Sequence, residues 1–145
     1  MQADKFTIKS QEAVQAAQGL AHERGNPEIT PEHLLAVLLE QDGGIVVPLL
    51  GKLGMTPDNV RPRVTAVLAK LPSVAGAAAS QSGPSGELVR VFQAAEREAA
   101  ALQDEFISTE HLLIALAESQ GEAGRCCPSA TRSSRRCARC AARIA

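Results

Sequence analysis

The sequence predicts an all-α domain made as a pseudo-twofold tandem repeat of helical units, and three observations predict it. The run Ile29-Thr-Pro-Glu-His-Leu-Leu-Ala-Val-Leu-Leu-Glu40 recurs as Ile107-Ser-Thr-Glu-His-Leu-Leu-Ile-Ala-Leu-Ala-Glu118, at an offset of 78 and with seven of twelve positions identical. Val14-Gln-Ala-Ala-Gln18 matches Phe92-Gln-Ala-Ala-Glu96 at the same offset, so the duplicated unit includes the preceding element. The third observation is composition: 45% of the 145 residues are hydrophobic but only 2% aromatic, three Phe with no Trp or Tyr. A chain of this length buries well over half of its unfolded surface, and its core must come from Leu, Val, Ile and Ala, the residues of helices packed through small aliphatic faces.

Taken in order, Thr7 is placed to cap a first helix running through Val14, Ala17 and Leu20 to Arg24. Gly25 stands where a left-handed C-terminal cap is expected. The counterpart helix runs from about Ser85 to Leu102. Thr30 caps a second helix, with Pro31 at the tolerated first position and Glu32 in the first turn, and Ser108, Thr109 and Glu110 repeat that start. Leu34, Leu35 and Leu38, like Leu112, Leu113 and Leu116, fall on one helical face, a core stripe in which each buried Leu contributes about 1.5–3 kcal/mol. Gly43-Gly44 turns the chain into a short helix through Val46, Leu49, Leu50 and Leu53, which Gly54 ends. Thr56-Pro57 opens a fourth helix reaching Leu71 before Pro72; Pro62 falls inside it, so a kink or a later start is expected.

The expected organisation is repeat one over residues 1–72, a small-residue linker over 73–85, an incomplete repeat two over 86–124, and a tail over 125–145. Residues 1–124 carry nine Lys and Arg against sixteen Asp and Glu, a net of −7. The tail carries six Arg, no acid, and all four Cys: Cys126, Cys127, Cys137 and Cys140. No stretch approaches the roughly 18 uncharged apolar residues of a membrane span. The start, Met1-Gln2-Ala3-Asp4-Lys5, lacks the basic-then-apolar order of a secretion signal. A soluble, cytoplasmic protein without a membrane partner is expected.

Phe6-Thr7, the two Glu-His-Leu-Leu helix starts, Gly43-Gly44, Leu71-Pro72-Ser73-Val74-Ala75-Gly76 and Phe106-Ile107-Ser108 together resemble the N-terminal repeat domain of the Clp ATPase chaperones. The resemblance is greatest to ClpB-type disaggregases and covers roughly residues 4–124. It implies an all-α, pseudo-twofold domain of two four-helix repeats, flexibly tethered to a hexameric ATPase ring, with the hexamer expected only of a full-length parent. It implies a recruitment module for exposed apolar segments of unfolded or aggregated polypeptides, with adaptor proteins as further partners. The only Gly-Lys, Gly51-Lys52, is followed by Leu53 rather than Ser or Thr, so the sequence has no P-loop. A non-enzymatic chain without cofactors is expected.

Carried over residue by residue, the resemblance implies a functional Thr after the first aromatic, matched by Thr7. It implies an Asp and a Glu flanking the Phe-Ile-Ser segment, matched by Asp104 and Glu110. In ClpC-type domains the Glu of each Glu-His motif binds phosphorylated arginine; those positions are Glu32 and Glu110, which makes a protease-associated N-domain the rival reading. The residues themselves add Val14, Leu88 and Phe92, on the two equivalent first helices, as candidates for lining an apolar peptide groove between the repeats.

Each candidate also has a plainer role. An N-cap such as Thr7 is worth about 0.5–2 kcal/mol by itself. First-turn carboxylates such as Glu32 and Glu110 contribute about 0.3–1 kcal/mol through the helix dipole. Val14, Leu88 and Phe92 suit a core equally well. His33 and His111 form a symmetric pair, yet no third or fourth ligand stands at helical spacing, so structural histidines and no metal are expected.

The tail offers Cys137-Ala138-Arg139-Cys140 as a zinc half-site, but the adjacent Cys126-Cys127 and a nine-residue gap make no knuckle or ribbon. Its six Arg come without aromatics for stacking or a folded basic face, which argues against nucleic acid. A small zinc or nucleic-acid module driven by the tail is the rival from another class. In GC-rich DNA, Arg-Cys-Cys written CGC-TGC-TGC contains CTG-CTG, or Leu-Leu, in a shifted frame, and Leu is what the repeat needs there. Residues from about 125 onward are therefore expected to be the frameshifted end of a longer gene. The offset of 78 pairs Leu49, Leu50 and Leu53 with Cys127, Pro128 and Thr131. With those covering helices missing, Leu112, Leu113 and Leu116 are expected to be partly exposed and the domain less stable.

Overall fold

Each repeat sets a shorter helix against a longer one, and backbone pairing at two places binds the copies together. The computed structural model describes residues 3–41, 45–52, 56–74 and 83–119. A 3-10 turn at Ala3–Lys5 precedes α1 (Ile8–Glu23); β1 (Glu28–Ile29) leads into α2 (Pro31–Glu40), followed by α3 (Val46–Lys52) and α4 (Pro57–Lys70). The second copy consists of β2 (Gly83–Pro84), α5 (Gly86–Ala101) and α6 (Thr109–Glu118). The Gly43-Gly44 turn, the Gly54 stop, the middle of the linker and the tail lie outside the described residues. No helix among the described residues is long and apolar enough to cross a membrane.

The ends of the long helices follow from their local sequence. The Thr7 and Ser85 hydroxyls accept from the Ser10 and Leu88 N–H groups at 3.3 and 3.2 Å, capping α1 and α5. At the other end of α1, the Gly25 N–H donates to the His22 carbonyl at 3.0 Å and the Asn26 N–H to the Ala21 carbonyl at 2.9 Å, a Schellman motif. The end of α5 repeats it through Gln103 to Ala100 at 3.1 Å and Asp104 to Ala99 at 2.9 Å. Both motifs need a left-handed residue, Gly25 at φ 68° and Gln103 at φ 61°. A side chain there costs about 1–2 kcal/mol, so Gln103 stores strain that Gly25 avoids.

Small residues on the long helices let the short ones approach closely. Ala13, Ala17 and Ala21 form a buried stripe on α1, and Val91, Ala95 and Ala99 form its counterpart on α5. Against them lie Leu34, Leu35, Leu38 and Leu39 of α2 and Leu112, Leu113 and Leu116 of α6, all buried. α4 packs Val60, Val64 and Leu68 toward α2, and the Arg61 guanidinium donates to the Leu39 carbonyl at 3.1 Å.

The two junctions cross between copies. β1 pairs in parallel with β2, Glu28 opposite Gly83 and Ile29 opposite Pro84, and the Ser85 N–H donates to the Ile29 carbonyl at 2.9 Å. Phe6 and Ile107 form a parallel bridge, in which the Ile107 N–H donates to the Lys5 carbonyl at 2.6 Å and the Thr7 N–H to the Ile107 carbonyl at 3.0 Å. Shifted by 78, Phe6 becomes Pro84 and Ile29 becomes Ile107. One junction has thus been built twice, each time joining the start of one repeat's long helix to the start of the other repeat's short helix.

α4 starts at Pro57 and continues through Pro62 to Lys70, so of the two outcomes expected of Pro62, a kink or a later start, the later start does not occur. The missing N–H of Pro62 deprives only the Asp58 carbonyl, in the exposed first turn. Leu112, Leu113 and Leu116 are buried rather than partly exposed, because α6 packs on α5 and also meets α1, α2 and α3 of the first copy. The ends of the linker are held as well: the Val74 N–H donates to the Gly25 carbonyl at 2.7 Å, and Gly83–Pro84 form β2.

Candidate functional site

The two junctions share a backbone plan and differ in side chains. At the first, Phe6 and Phe92 meet edge to face, centroids 5.7 Å apart and planes at 85°. Such a pair adds about 0.5–1.5 kcal/mol beyond area burial. Beside it opens a cavity of about 390 Å³, lined by Lys5, Phe6, Val89, Phe92, Gln93, Glu96 and Ile107. Its walls are apolar and its rim is polar. Lys5 Nζ reaches Glu96 Oε1 at 2.5 Å, with both side chains about half exposed. The hydrogen bond from Lys5, then its charge, holds the Glu96 carboxyl below the usual carboxylate range. Phe106, next to Ile107 in the chain, is 51% exposed, and Ile8, two residues after Phe6, is 76% exposed.

At the second junction Pro84, Val14, Glu28 and Gly86 take the places of Phe6, Phe92, Phe106 and Ile8. All three aromatic residues of the chain therefore belong to one junction, and its twin has none.

The candidate residues divide accordingly. Thr7 sits at the aromatic junction. Its hydroxyl donates to Ser10 Oγ at 3.0 Å and accepts from the Ser10 N–H, while its backbone N–H closes the bridge to Ile107. Phe92 lines the cavity and is itself 4% exposed, a member of the core as its plainer role requires. Leu88 lies in the core, and half-buried Val14 occupies the place equivalent to Phe92 at the other junction, so the structure does not bring these two to the cavity. Glu32 is 4% exposed, whereas its counterpart Glu110 is half-buried, so the two carboxylates are not equivalently presented.

Asp104 belongs to a histidine staple. The Ser108 N–H donates to His111 Nδ1 at 3.0 Å, which leaves Nε2 to donate to Asp104 Oδ2 at 3.0 Å. His33 repeats this with the Thr30 N–H at 2.9 Å and Asn26 Oδ1 at 2.9 Å. Each ring closes a capping box in which His takes the position usual for Glu or Gln. Both nitrogens of both rings are engaged in the fold and carry no lone pair toward a metal. Burial pushes His33 below the ordinary histidine range; the neighbouring Glu32 opposes this and Arg24 reinforces it. Among the described residues no three His, Cys, Asp or Glu gather to hold a metal. The tail cysteines lie outside those residues.

Sequence reasoning missed Lys5, Phe6, Val89, Gln93, Glu96 and Ile107 as neighbours of Phe92. A signal was present in the positions at which the copies disagree, Phe6 against Pro84 and Phe106 against Glu28. Two wider grooves, about 430 Å³ between α5 and α6 and about 510 Å³ between α1 and α2, occupy equivalent places in both repeats. Charged residues rim both, Arg90, Arg97 and Glu118 in one and Glu12, Glu23 and Glu40 in the other, and neither has an aromatic wall.

Residues 5–129 match the family described as the Clp repeat (R) N-terminal domain. The chaperone protein ClpB of Propionibacterium freudenreichii is 44% identical over 123 residues, 85% of this chain and 14% of that protein. The ClpB of Corynebacterium diphtheriae is 43% identical over 117 residues, 81% of this chain and again 14% of the relative. The chain thus spans about 14% of the length of these curated relatives. Among solved structures, the Hsp104 N-terminal domain from Candida albicans superposes with a TM-score of 0.72 at 20% identity, covering 90% of this chain and 91% of that one. The N-terminal domain of the ClpV1 ATPase from E. coli gives a TM-score of 0.74 at 25% identity, covering 91% of this chain and 83% of that one. With its duplicated helical unit matched by family over most of its length, the chain belongs to the Clp N-terminal repeat domain family and is similar to a segment that makes up about 14% of ClpB chaperones.

Proposed function

We propose that this domain is a substrate-recruitment module of a ClpB-like disaggregase, working in the cytoplasm. It docks exposed apolar segments of unfolded or aggregated polypeptides at the aromatic junction. The observation that carries this reading is that the Phe6–Phe92 pair walls a 390 Å³ cavity at one of two otherwise equivalent junctions, where Phe106, next to Ile107 in the chain, is exposed. An apolar-walled cavity at a junction that also carries exposed large apolar residues suits an interaction site. A solved complex of a ClpV N-domain with a VipB peptide, similar in fold to this chain at a TM-score of 0.67, supports peptide docking on this scaffold. In a full-length parent the captured segment would pass to the ATPase ring, which performs the work on it.

The test is fluorescence anisotropy of a fluorescein-labelled peptide of alternating Leu and Ser, with the wild type and with Ile8→Ser plus Phe106→Ser. Both residues are exposed, so the double variant keeps its melting midpoint and loses affinity by about tenfold or more. Unchanged affinity overturns the assignment of this junction.

A further inference from the structure

His111 ties the end of α5 to the start of α6. Its ring is 1% exposed and is anchored at one nitrogen by the Ser108 N–H and at the other by Asp104 Oδ2, both at 3.0 Å. Between those anchors lie Glu105, Phe106 and Ile107. Ile107 closes the bridge to the Lys5–Thr7 segment and walls the cavity, and Phe106, its neighbour in the chain, is exposed. His33 spans the equivalent segment of the first copy, but that segment holds Pro27, Glu28 and Ile29 and leads to the junction without aromatics.

We propose that His111 is a positioning residue of the docking junction. It holds Phe106 and Ile107 where they meet an apolar segment, and Asp104 acts through its ring rather than by touching the ligand. The inference rests on the docking function proposed above. Ile107 is held independently by its bridge, so Glu105 and Phe106, between that bridge and the Asp104–His111 anchor, are the residues the staple restricts. Releasing the Asp104 anchor restores part of their conformational freedom, and binding must then order them again.

The molecule contains its own control. In the first copy an amide, Asn26, serves as the acceptor at 2.9 Å, so a carboxylate is not required for the staple itself. Asp104→Asn should therefore keep the ring anchored, whereas Asp104→Ala releases it. Asp104 is 49% exposed at its side chain, so neither change buries a new group or opens a core cavity.

The experiment measures affinity for the same labelled Leu/Ser peptide, well below the melting midpoint of every variant. Asp104→Ala is expected to weaken binding about tenfold and Asp104→Asn to restore it to within about twofold of wild type. Asn26→Ala releases the twin staple, so it should lower the melting midpoint and leave affinity unchanged. Unchanged binding by Asp104→Ala overturns the inference. So does an equal loss in Asp104→Asn, which would mean that the carboxylate contacts the peptide, or an equal loss in Asn26→Ala, which would mean that general destabilisation is the cause. Absence of binding by the wild type overturns the docking function itself, a result distinct from these three.

Discussion

The junction at Phe6 and Ile107 and the junction at Ile29 and Pro84 make the same backbone bonds, 3.0 and 2.9 Å for the two equivalent amides, yet they carry opposite surfaces. One has Phe6, Ile8, Phe92 and Phe106; the other has Pro84, Gly86, Val14 and Glu28. After duplication, the features that hold the chain together recur in both copies: the Thr7 and Ser85 caps, the Schellman turns, the histidine staples and the leucine stripes. The side chains around the junctions diverged, some of them inward, as in the Phe6–Phe92 pair, and some outward, as with exposed Phe106 and Ile8. An outward difference such as Phe106 against Glu28, which core packing does not require, is the place to look for function.

The comparison can be broken most severely by separating the copies. Residues 1–74 alone should fail to fold, giving a far-ultraviolet circular dichroism spectrum of a largely disordered chain. Both crossed junctions and the packing of α6 on α1, α2 and α3 would be lost, and helices of this length are marginal without tertiary contacts. A cooperative melt of that fragment would show the repeats to be independent.

The two Schellman turns give the next largest effects, of opposite sign. A Cβ at Gly25 would lie 2.8 Å from the Val74 carbonyl oxygen and 2.9 Å from Ser73 Oγ. Gly25→Ala should therefore cost about 2–4 kcal/mol, from left-handed strain and overpacking together. Gln103→Gly relieves the strain at the twin position and should stabilise by about 0.5–1 kcal/mol. Urea denaturation of both variants measures the pair, and equal signs would refute the account.

The histidine staples supply the smallest contrast. His33 has its folded pKa lowered, chiefly by burial, so the folded state resists a proton that the unfolded chain accepts near the ordinary value of 6.5. Its contribution is fully present above that value and is lost as pH falls below it toward the lowered folded value. Melting midpoints should fall between about pH 7.5 and about pH 5.5. Asn26→Asp should reduce that fall, by placing beside Nε2 the carboxylate that His111 already has. A fall that is unchanged in this variant would remove His33 as its source.

The helices, their caps and the duplication were legible in the residues, because a cap, a left-handed turn and a leucine stripe are local relations spanning a few positions. Thr7, Thr30 and Ser108 cap where the pattern places them, and the helix expected from about Ser85 has Ser85 as its cap. The candidate site was legible only in fragments. Thr7 and Phe92 meet at the junction, but Val14 and Leu88, which share the same helical pattern as Phe92, lie elsewhere. Periodicity tells which residues turn inward, not which inward residues border an opening.

What the linear sequence determined, then, is the repeat, its helices and the identity of the core, since each follows from spacing within a single element. Only the tertiary structure decided that the copies are interlocked, that α6 is covered by the first repeat, and that three aromatics far apart in the chain share one junction. The physical reason is that the crossed pairing uses backbone amides and carbonyls, which every residue possesses, so no side-chain pattern announces it.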